Sequence, residues 1–244
     1  MILRILSKDE FVQSFLNPVS KINNSCVLSL TEKGISTLLS SADNTVILYS
    51  QYKTTLDIEE PLKINLPDVS RLTKIVGCIP SDSVDLSVTN NYIEYKSPDI
   101  RFKYHLLDDG ILSTPSISVD KIKSLKYNTT FKMPFQAILN LIKSSSFTLD
   151  INKVYIFTKD KSVYAEINDK SSHNVDSICL KICDDHSGAP IETPLPVSFD
   201  TIRTLAGSRS SEINTFINSE LNVMTFEVNN SNIKNTYIVS GLIK

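Results

Sequence analysis

The residues best placed to do chemistry are cations and amides on segments with helical patterning. Arg71 and Lys74 are three residues apart. Gln136, Asn140 and Lys143 follow one another at spacings of four and three. Such spacings put each set on one face of a helix. A face of this kind can attract the phosphates of a nucleic acid without reading its sequence. Charge alone leaves a second interpretation open, in which these side chains only solvate a helix surface.

The positive charge is concentrated in four segments, which are residues 7–22, 66–79, 132–146 and 197–209. They contain four anions, mostly near the helix starts where the macrodipole favours them. They also contain eight cations: Lys8, Lys21, Arg71, Lys74, Lys132, Lys143, Arg203 and Arg209. The whole chain has a formal net charge of −2, so the remainder is acidic. We therefore predict that these eight cations form a basic helical surface facing a polyanion.

Enzymatic chemistry has little support in the sequence. Glycine occurs only six times, and neither a phosphate-binding loop nor a G-x-S-x-G turn is present. The adjacent carboxylates Asp108-Asp109 and Asp184-Asp185 are more typical of solvated turns than of acid–base pairs. We predict no catalytic residue, no metal site and no cofactor. An enzyme with a novel site stays open as the weakest alternative.

The four cysteines are Cys26, Cys78, Cys179 and Cys183. They lie in apolar or strand-like contexts without a Cys-x-x-Cys pair, so we expect reduced, buried thiols and no metal. No run approaches the ~18–20 apolar residues of a membrane span. The N-terminus also becomes polar too early for a signal peptide. These features predict a cytoplasmic protein without a membrane partner.

Two segments about 130 residues apart repeat one pattern. Leu66–Gly77 and Leu195–Gly207 each combine a proline at the second position, a capping residue, an apolar stripe and a final glycine. This period exceeds the ~20–50 residues of a solenoid repeat. It predicts a duplicated domain, with a first domain at 1–110, a connector at 111–130 and a second domain at 131–244.

Each half is predicted to be α+β, with two helices packed on an antiparallel sheet of roughly six to eight strands. Ser7 should cap the first helix, with Glu10 at the capping-box position. Pro18 should kink or end that helix. Residues 107–130 show no single period and predict a partly extended connector.

This order of elements resembles that of DNA sliding clamps. The likeness is carried by pattern and order in four second-domain segments: Phe135–Ile142, Lys153–Phe157, Ser162–Asp169 and Ser177–Ile182. They are similar to the two-domain clamps of T-even-like tailed phages. The architecture also resembles proliferating cell nuclear antigen.

The resemblance implies a head-to-tail homotrimeric ring with helices inside and sheets outside. Such a ring encircles double-stranded DNA, tethers the DNA polymerase as a processivity factor and is opened by a separate clamp-loader ATPase. A partner-peptide pocket is expected near Ile111, Leu112, Leu242 and Ile243. Leu242 and Ile243 have an alternative role as the end of a paired strand. A bacteriophage source implies the host cytoplasm.

Two further alternatives remain at this point. A ring-forming structural virion protein would explain the duplication but not the positive helices. A dimer is also compatible with the sequence.

Overall fold

The computed structural model describes residues 1–147, 152–168, 176–207 and 210–241. The chain divides into two compact units. Unit 1 consists of Met1–Ile122 and Asn229–Asn235, and unit 2 consists of Lys123–Val228 and Thr236–Lys244.

Unit 1 is built from helices packed on antiparallel sheets. Its elements in chain order are β1 (Ile2–Ile5), α1 (Lys8–Glu10), a π-helical turn (Phe11–Leu16), α2 (Asn17–Ile22), β2 (Cys26–Thr31), β3 (Gly34–Ser40), β4 (Val46–Lys53), β5 (Leu62–Leu66), α3 (Val69–Gly77), β6 (Val84–Val88), β7 (Tyr92–Lys96), β8 (Arg101–His105) and α4 (Val119–Lys123). Four strands pair in the order β1-β6-β7-β8, and four others in the order β4-β3-β2-β5. We refer to α1, the π-helical turn and α2 together as the first helix.

Unit 2 repeats this plan. Its elements are β9 (Thr129–Pro134), α5 (Phe135–Ser144), a 3-10 turn (Ser145–Phe147), β10 (Lys153–Lys159), β11 (Ser162–Ile167), β12 (Ile178–Cys183), β13 (Ser187–Gly188), β14 (Leu195–Ser198), α6 (Phe199–Ala206), β15 (Glu212–Asn218), β16 (Val223–Asn229) and β17 (Ile233–Ser240), of which the first three residues of β17 belong to unit 1. The strand orders are β12-β11-β10-β14 and β13-β9-β15-β16.

The strand pairings show the duplication directly. β2 pairs with β3 and β5 in unit 1 as β10 pairs with β11 and β14 in unit 2. Likewise, β6 lies between β1 and β7 as β15 lies between β9 and β16. All of these pairs are antiparallel. The predicted α+β architecture of helices on antiparallel sheets is therefore confirmed.

The helices form where apolar residues recur at helical spacing. In α3 the buried side chains are Val69, Leu72, Thr73 and Val76, and in α5 they are Ala137, Ile138 and Leu141. Each set covers one stripe, so the opposite face of each helix is left to polar side chains. None of the described helices is long and apolar enough to cross a membrane.

The first helix does not end at Pro18. Helical backbone runs on to Ile22, and the irregularity that the proline predicts takes the form of the π-helical turn before it. Two other predicted helices begin later than expected. The segments Leu62–Leu66 and Leu195–Ser198 are strands, so the proline of each repeated pattern precedes its helix instead of opening it.

Two elements lie where the sequence shows no clear period. The short helix α4 and the strand β9 both fall in or next to the predicted connector. β9 alternates buried and less buried residues, with Thr129, Phe131 and Met133 on the buried side.

Candidate nucleic-acid interface

Helix α3 presents Arg71 and Lys74 away from the core. Both side chains are exposed, whereas Leu72 and Val76 on the other face are buried. Neither cation forms an ion pair with any residue in the described part of the chain. The predicted pair therefore lies on one solvent-facing stripe of a helix.

A cluster of hydrogen bonds fixes the start of α3. The Asp68 carboxylate accepts from the backbone N–H of Arg71 at 2.8 Å and from the Asn24 side chain at 3.0 Å. The Tyr104 hydroxyl accepts from the Asp68 N–H at 2.9 Å and donates to the Asp68 carbonyl at 2.7 Å. The Arg71 N–H, more than any other group, lowers the pKa of Asp68. This capping fixes the direction in which the cations of α3 project.

The first helix contributes two cations in different settings. Lys8 donates a hydrogen bond from Nζ to the backbone carbonyl of Ile79, so its charge is directed at the protein. Lys21 lies in the last turn, is exposed and has no ion-pair partner among the described residues. Only Lys21 therefore presents a free charge on this helix.

Helix α5 has a different exposed face. Gln136 donates to the Asn140 side chain at 2.9 Å, so two amides occupy most of that face. Lys143, one turn further on, is exposed and without an ion pair to the described residues. This face combines neutral hydrogen-bonding groups with one cation.

Helix α6 holds its arginine against its own surface. Arg203 donates from Nη1 to the Asp200 carboxylate at 2.7 Å. Its guanidinium carbon also lies 4.7 Å from the centre of the Phe199 ring. The charge of Arg203 is thus already partly compensated.

The helical position predicted for Lys132 is wrong. Lys132 lies in β9, on the side opposite Phe131 and Met133, and its Nζ is 3.2 Å from the Glu212 carboxylate. The alternation of buried residues in β9 has a period of two, which carries Lys132 out to the sheet surface. The eighth predicted cation, Arg209, lies outside the described residues.

The predicted peptide pocket is only partly described. The side chain of Ile111 is 59% exposed, and Leu112 is half-buried. Leu242 and Ile243 lie outside the described residues. The start of the connector is held by Asn65, whose amide donates to the Asp108 carbonyl at 3.2 Å.

A small cavity of about 270 Å³ lies in unit 1 beside the connector. Its lining includes the hydroxyls of Ser25, Ser40 and Ser113 and the amides of Asn23 and Asn44. Sequence reasoning missed it because scattered small polar residues carry no periodic signal.

The cysteines are free but mostly not buried. Cys26 is buried, whereas Cys78 and Cys179 are exposed and Cys183 is half-buried. The prediction of four buried thiols is therefore wrong for three of them. Groups of three or more residues able to hold a metal ion are absent from the described parts of the chain.

Among the strands at the ends of the described sheets are β8 in unit 1 and β12 in unit 2. β8 carries Arg101, Lys103 and His105 on exposed positions. β12 is followed by the acidic pair Asp184 and Asp185, also exposed.

A cavity of about 750 Å³ lies beside β12 in unit 2. Residues of α5, β9, β12, β13 and β15 line it, among them Gln136, Ile182 and Thr215. The Thr215 hydroxyl is buried and lacks a hydrogen-bond partner among the described residues, as does Nδ1 of His186. Such groups are costly to leave unpaired.

In the repeated order of elements, the first helix and β4 of unit 1 correspond to α5 and β12 of unit 2. Residues 229–235 lie beside the first helix and β4. The Asn232 carbonyl accepts from the Lys53 N–H at 2.7 Å, and its N–H donates to the Glu10 carboxylate at 3.2 Å. Ser50 donates to the Asn235 side chain at 2.6 Å.

Comparison with solved structures reveals the fold. A chain in the complex of the C-terminal region of FEN-1 with A. fulgidus PCNA matches with a TM-score of 0.80 and 16% identity, covering 100% of this chain and 99% of that one. The chain has the fold of proliferating cell nuclear antigen. That antigen from Entamoeba histolytica matches with a TM-score of 0.80 and 11% identity, over 99% of this chain and 98% of that one.

A third match extends the same likeness. A chain of the PCNA2–PCNA3 complex from Sulfolobus tokodaii has a TM-score of 0.78 and 10% identity, with 99% of both chains covered. No family model and no curated protein matches the sequence. The proliferating cell nuclear antigen fold is thus recognised from its three-dimensional arrangement at very low sequence identity.

Proposed function

We propose that this protein is a DNA sliding clamp, a closed ring that encircles duplex DNA and tethers a DNA polymerase. One observation carries the proposal. In a chain with the fold of proliferating cell nuclear antigen and a net charge of −2, exposed helix faces carry cations without ion pairs to described residues: Lys21, Arg71, Lys74 and Lys143.

The mechanism follows from weak contact and enclosure. Dispersed cations attract phosphates without fixing a register, so the ring can slide along the duplex. Enclosure prevents escape sideways, and a polymerase bound to the ring stays at high local concentration near its template. The protein acts without catalysing a reaction. Because the sequence has no nucleotide-binding loop, a separate ATPase is proposed to open and load the ring.

Ring closure is proposed to use the terminal strands β8 and β12. In unit 1, residues 229–235 fill the place beside the first helix and β4. The equivalent place beside α5 and β12 in unit 2 is a cavity with unpaired polar groups on Thr215 and His186. A second copy is proposed to place its β8 there. This head-to-tail contact closes into a ring, and three two-unit chains would give six repeats.

The remaining partners belong to the same proposal. Ile111 and Leu112, together with Leu242 and Ile243, are proposed to bind a hydrophobic peptide of the polymerase or the loader. The side chain of Ile111 is 59% exposed and is therefore accessible to such a peptide. A phage source and the host cytoplasm rest on the sequence resemblance alone.

A ring-forming structural protein of a virion is the alternative. It shares the duplication and the terminal strands but gives no reason for unpaired cations on the helices. A test of whether the protein encloses DNA therefore distinguishes a sliding clamp from a structural virion protein.

The test of the proposed function is topological. A linear duplex is fixed to a bead at one end, incubated with the protein at low salt and then closed at its free end with streptavidin. A wash at about 0.5 M salt removes electrostatically bound protein. A sliding clamp should stay on the closed duplex and be released when a restriction enzyme cuts it. Protein that washes off equally from open and closed duplexes would rule out enclosure.

Assembly is tested separately by light scattering over a dilution series. A species near three times the 27.3 kDa chain mass supports the trimer. A stable species of twice that mass would replace the trimer by a dimer.

A further inference from the structure

Building on the proposed function, we propose that the two units contribute unequally to DNA binding. Unit 1 supplies most of the electrostatic contact with the phosphates. Unit 2 faces the duplex mainly with neutral amides and with an arginine that its own helix compensates.

The first helix and α3 of unit 1 carry three exposed cations without ion pairs to described residues: Lys21, Arg71 and Lys74. The carboxylate nearest in sequence to the last two is Asp68. It is engaged in capping α3 through the Arg71 N–H and the Asn24 side chain. Both cations are therefore available to an external anion.

The described residues of α5 and α6 in unit 2 offer less uncompensated charge. Arg203 is held by Asp200 at 2.7 Å and lies over Phe199. The exposed face of α5 carries the hydrogen-bonded amides Gln136 and Asn140. Lys143 is the one exposed cation without an ion pair on the described parts of α5 and α6.

This difference affects binding because an arginine that is already ion-paired gains less free energy from contact with a phosphate. Arg203 must give up or share Asp200 before it contacts DNA. Arg71 and Lys74 attract the Asp68 carboxylate without forming an ion pair with it, so they give up mainly water and counterions. Each cation that neutralises a phosphate adds ~0.9 to the slope of log affinity against log salt. The salt dependence should therefore arise mainly from unit 1.

Two charge-matched variants test the inference. R71Q/K74Q and K143Q/R203Q each remove two positive charges per chain from exposed helix positions. Affinity for a mixed-sequence linear duplex is measured by fluorescence anisotropy at several salt concentrations. R71Q/K74Q should weaken binding about tenfold and lower the salt slope about twice as much as K143Q/R203Q. Equal effects, or a larger effect of K143Q/R203Q, would overturn the inference.

A third variant tests it in the opposite direction. D200N keeps the size of the side chain and removes the charge that holds Arg203. It should strengthen duplex binding by about threefold and steepen the salt slope. In D200N/R203Q the gain should disappear. An unchanged affinity in D200N would show that the ion pair does not restrain Arg203.

The bead assay on the unaltered protein separates this inference from the proposed function. If the unaltered protein is not retained on the closed duplex, the proposed function and this inference are both wrong. If it is retained while the two double variants bind alike, only the inequality between the units is wrong. The oligomeric mass and the urea midpoint of each variant should match the parent, because all five substituted side chains are exposed.

Discussion

The side-chain amide of Asn235 donates a hydrogen bond of 2.8 Å to the backbone carbonyl of Ser14, and both residues are buried. In a regular α-helix that carbonyl would accept from the N–H of residue 18, which Pro18 lacks. Asn235 supplies a donor in its place and accepts in turn from the Ser50 hydroxyl. This contact explains how the first helix passes through a proline without ending.

Replacing Asn235 by alanine should lower the free energy of unfolding by about 2 kcal/mol, because it leaves two buried polar groups without their partner. The urea midpoint measures the loss. Asn232→Ala is the matched control, since Asn232 is only half-buried and its side chain bonds to Glu10 at 3.3 Å. Its midpoint should change by less than half as much. Equal shifts would refute a special role for Asn235.

The role of Asn235 could not be predicted from the sequence, whereas the helix it supports could. Apolar spacing predicts the first helix, α3 and α5 because one face of each must be buried. Asn235 is 221 residues from Ser14, and no local pattern connects them. The same limit applies to the cavity beside the connector.

In the candidate site, some residue positions could be predicted from the sequence and others could not. Arg71 and Lys74 were predictable because buried neighbours on α3 fix their face. Lys132 was misplaced because Phe131 and Met133 alternate as in a strand, and the proline at the end of β9 also suits a helix start. The compensation of Arg203 by Phe199 and Asp200 depends on rotamers, which spacing alone does not determine.

The Tyr104 hydroxyl should make unfolding depend on alkaline pH. Burial raises the pKa of Tyr104 to about 12 from an ordinary value of 10. The native state thus holds this proton where the unfolded chain loses it, so the stabilisation is complete below pH 10 and is lost as pH rises through 12.

Tyr104→Phe should remove that part of the pH dependence, measured as the urea midpoint between pH 9 and about 11. It should also cost about 1 kcal/mol at neutral pH through the lost hydrogen bonds to Asp68. A profile of Tyr104→Phe that parallels the parent's would disprove the assignment.

The cysteines should differ strongly in reactivity. Cys26 is 4% exposed, and burial raises the pKa of its thiol to about 12, so little thiolate is present or accessible at pH 8. Cys78 and Cys179 are exposed. A maleimide should label these two first and Cys26 only after denaturation, as followed by mass spectrometry of peptides. Labelling of Cys26 as fast as Cys78 in the folded protein would contradict its burial.

Asn65 should control the order of the connector's first residues. Its side chain is buried and donates to the Asp108 carbonyl at 3.2 Å and the Asp109 carboxylate at 3.1 Å. The backbone carbonyl of Asn65 accepts from the Leu107 N–H at 3.0 Å. Asn65→Ala should lower stability by about 1–2 kcal/mol and speed hydrogen exchange of residues 107–111.

Asn65→Asp distinguishes lost hydrogen bonds from lost volume. It preserves the shape of the side chain but replaces the donor by a carboxylate facing the Asp109 carboxylate and the Asp108 carbonyl. The resulting repulsion should accelerate exchange of residues 107–111 at least as much as alanine does. Lowering the pH below the aspartate range should partly reverse this effect in Asn65→Asp and leave Asn65→Ala unchanged, after correction for the intrinsic exchange rate. Normal protection in Asn65→Asp at neutral pH would mean that packing, and not the amide donor, holds the connector in place.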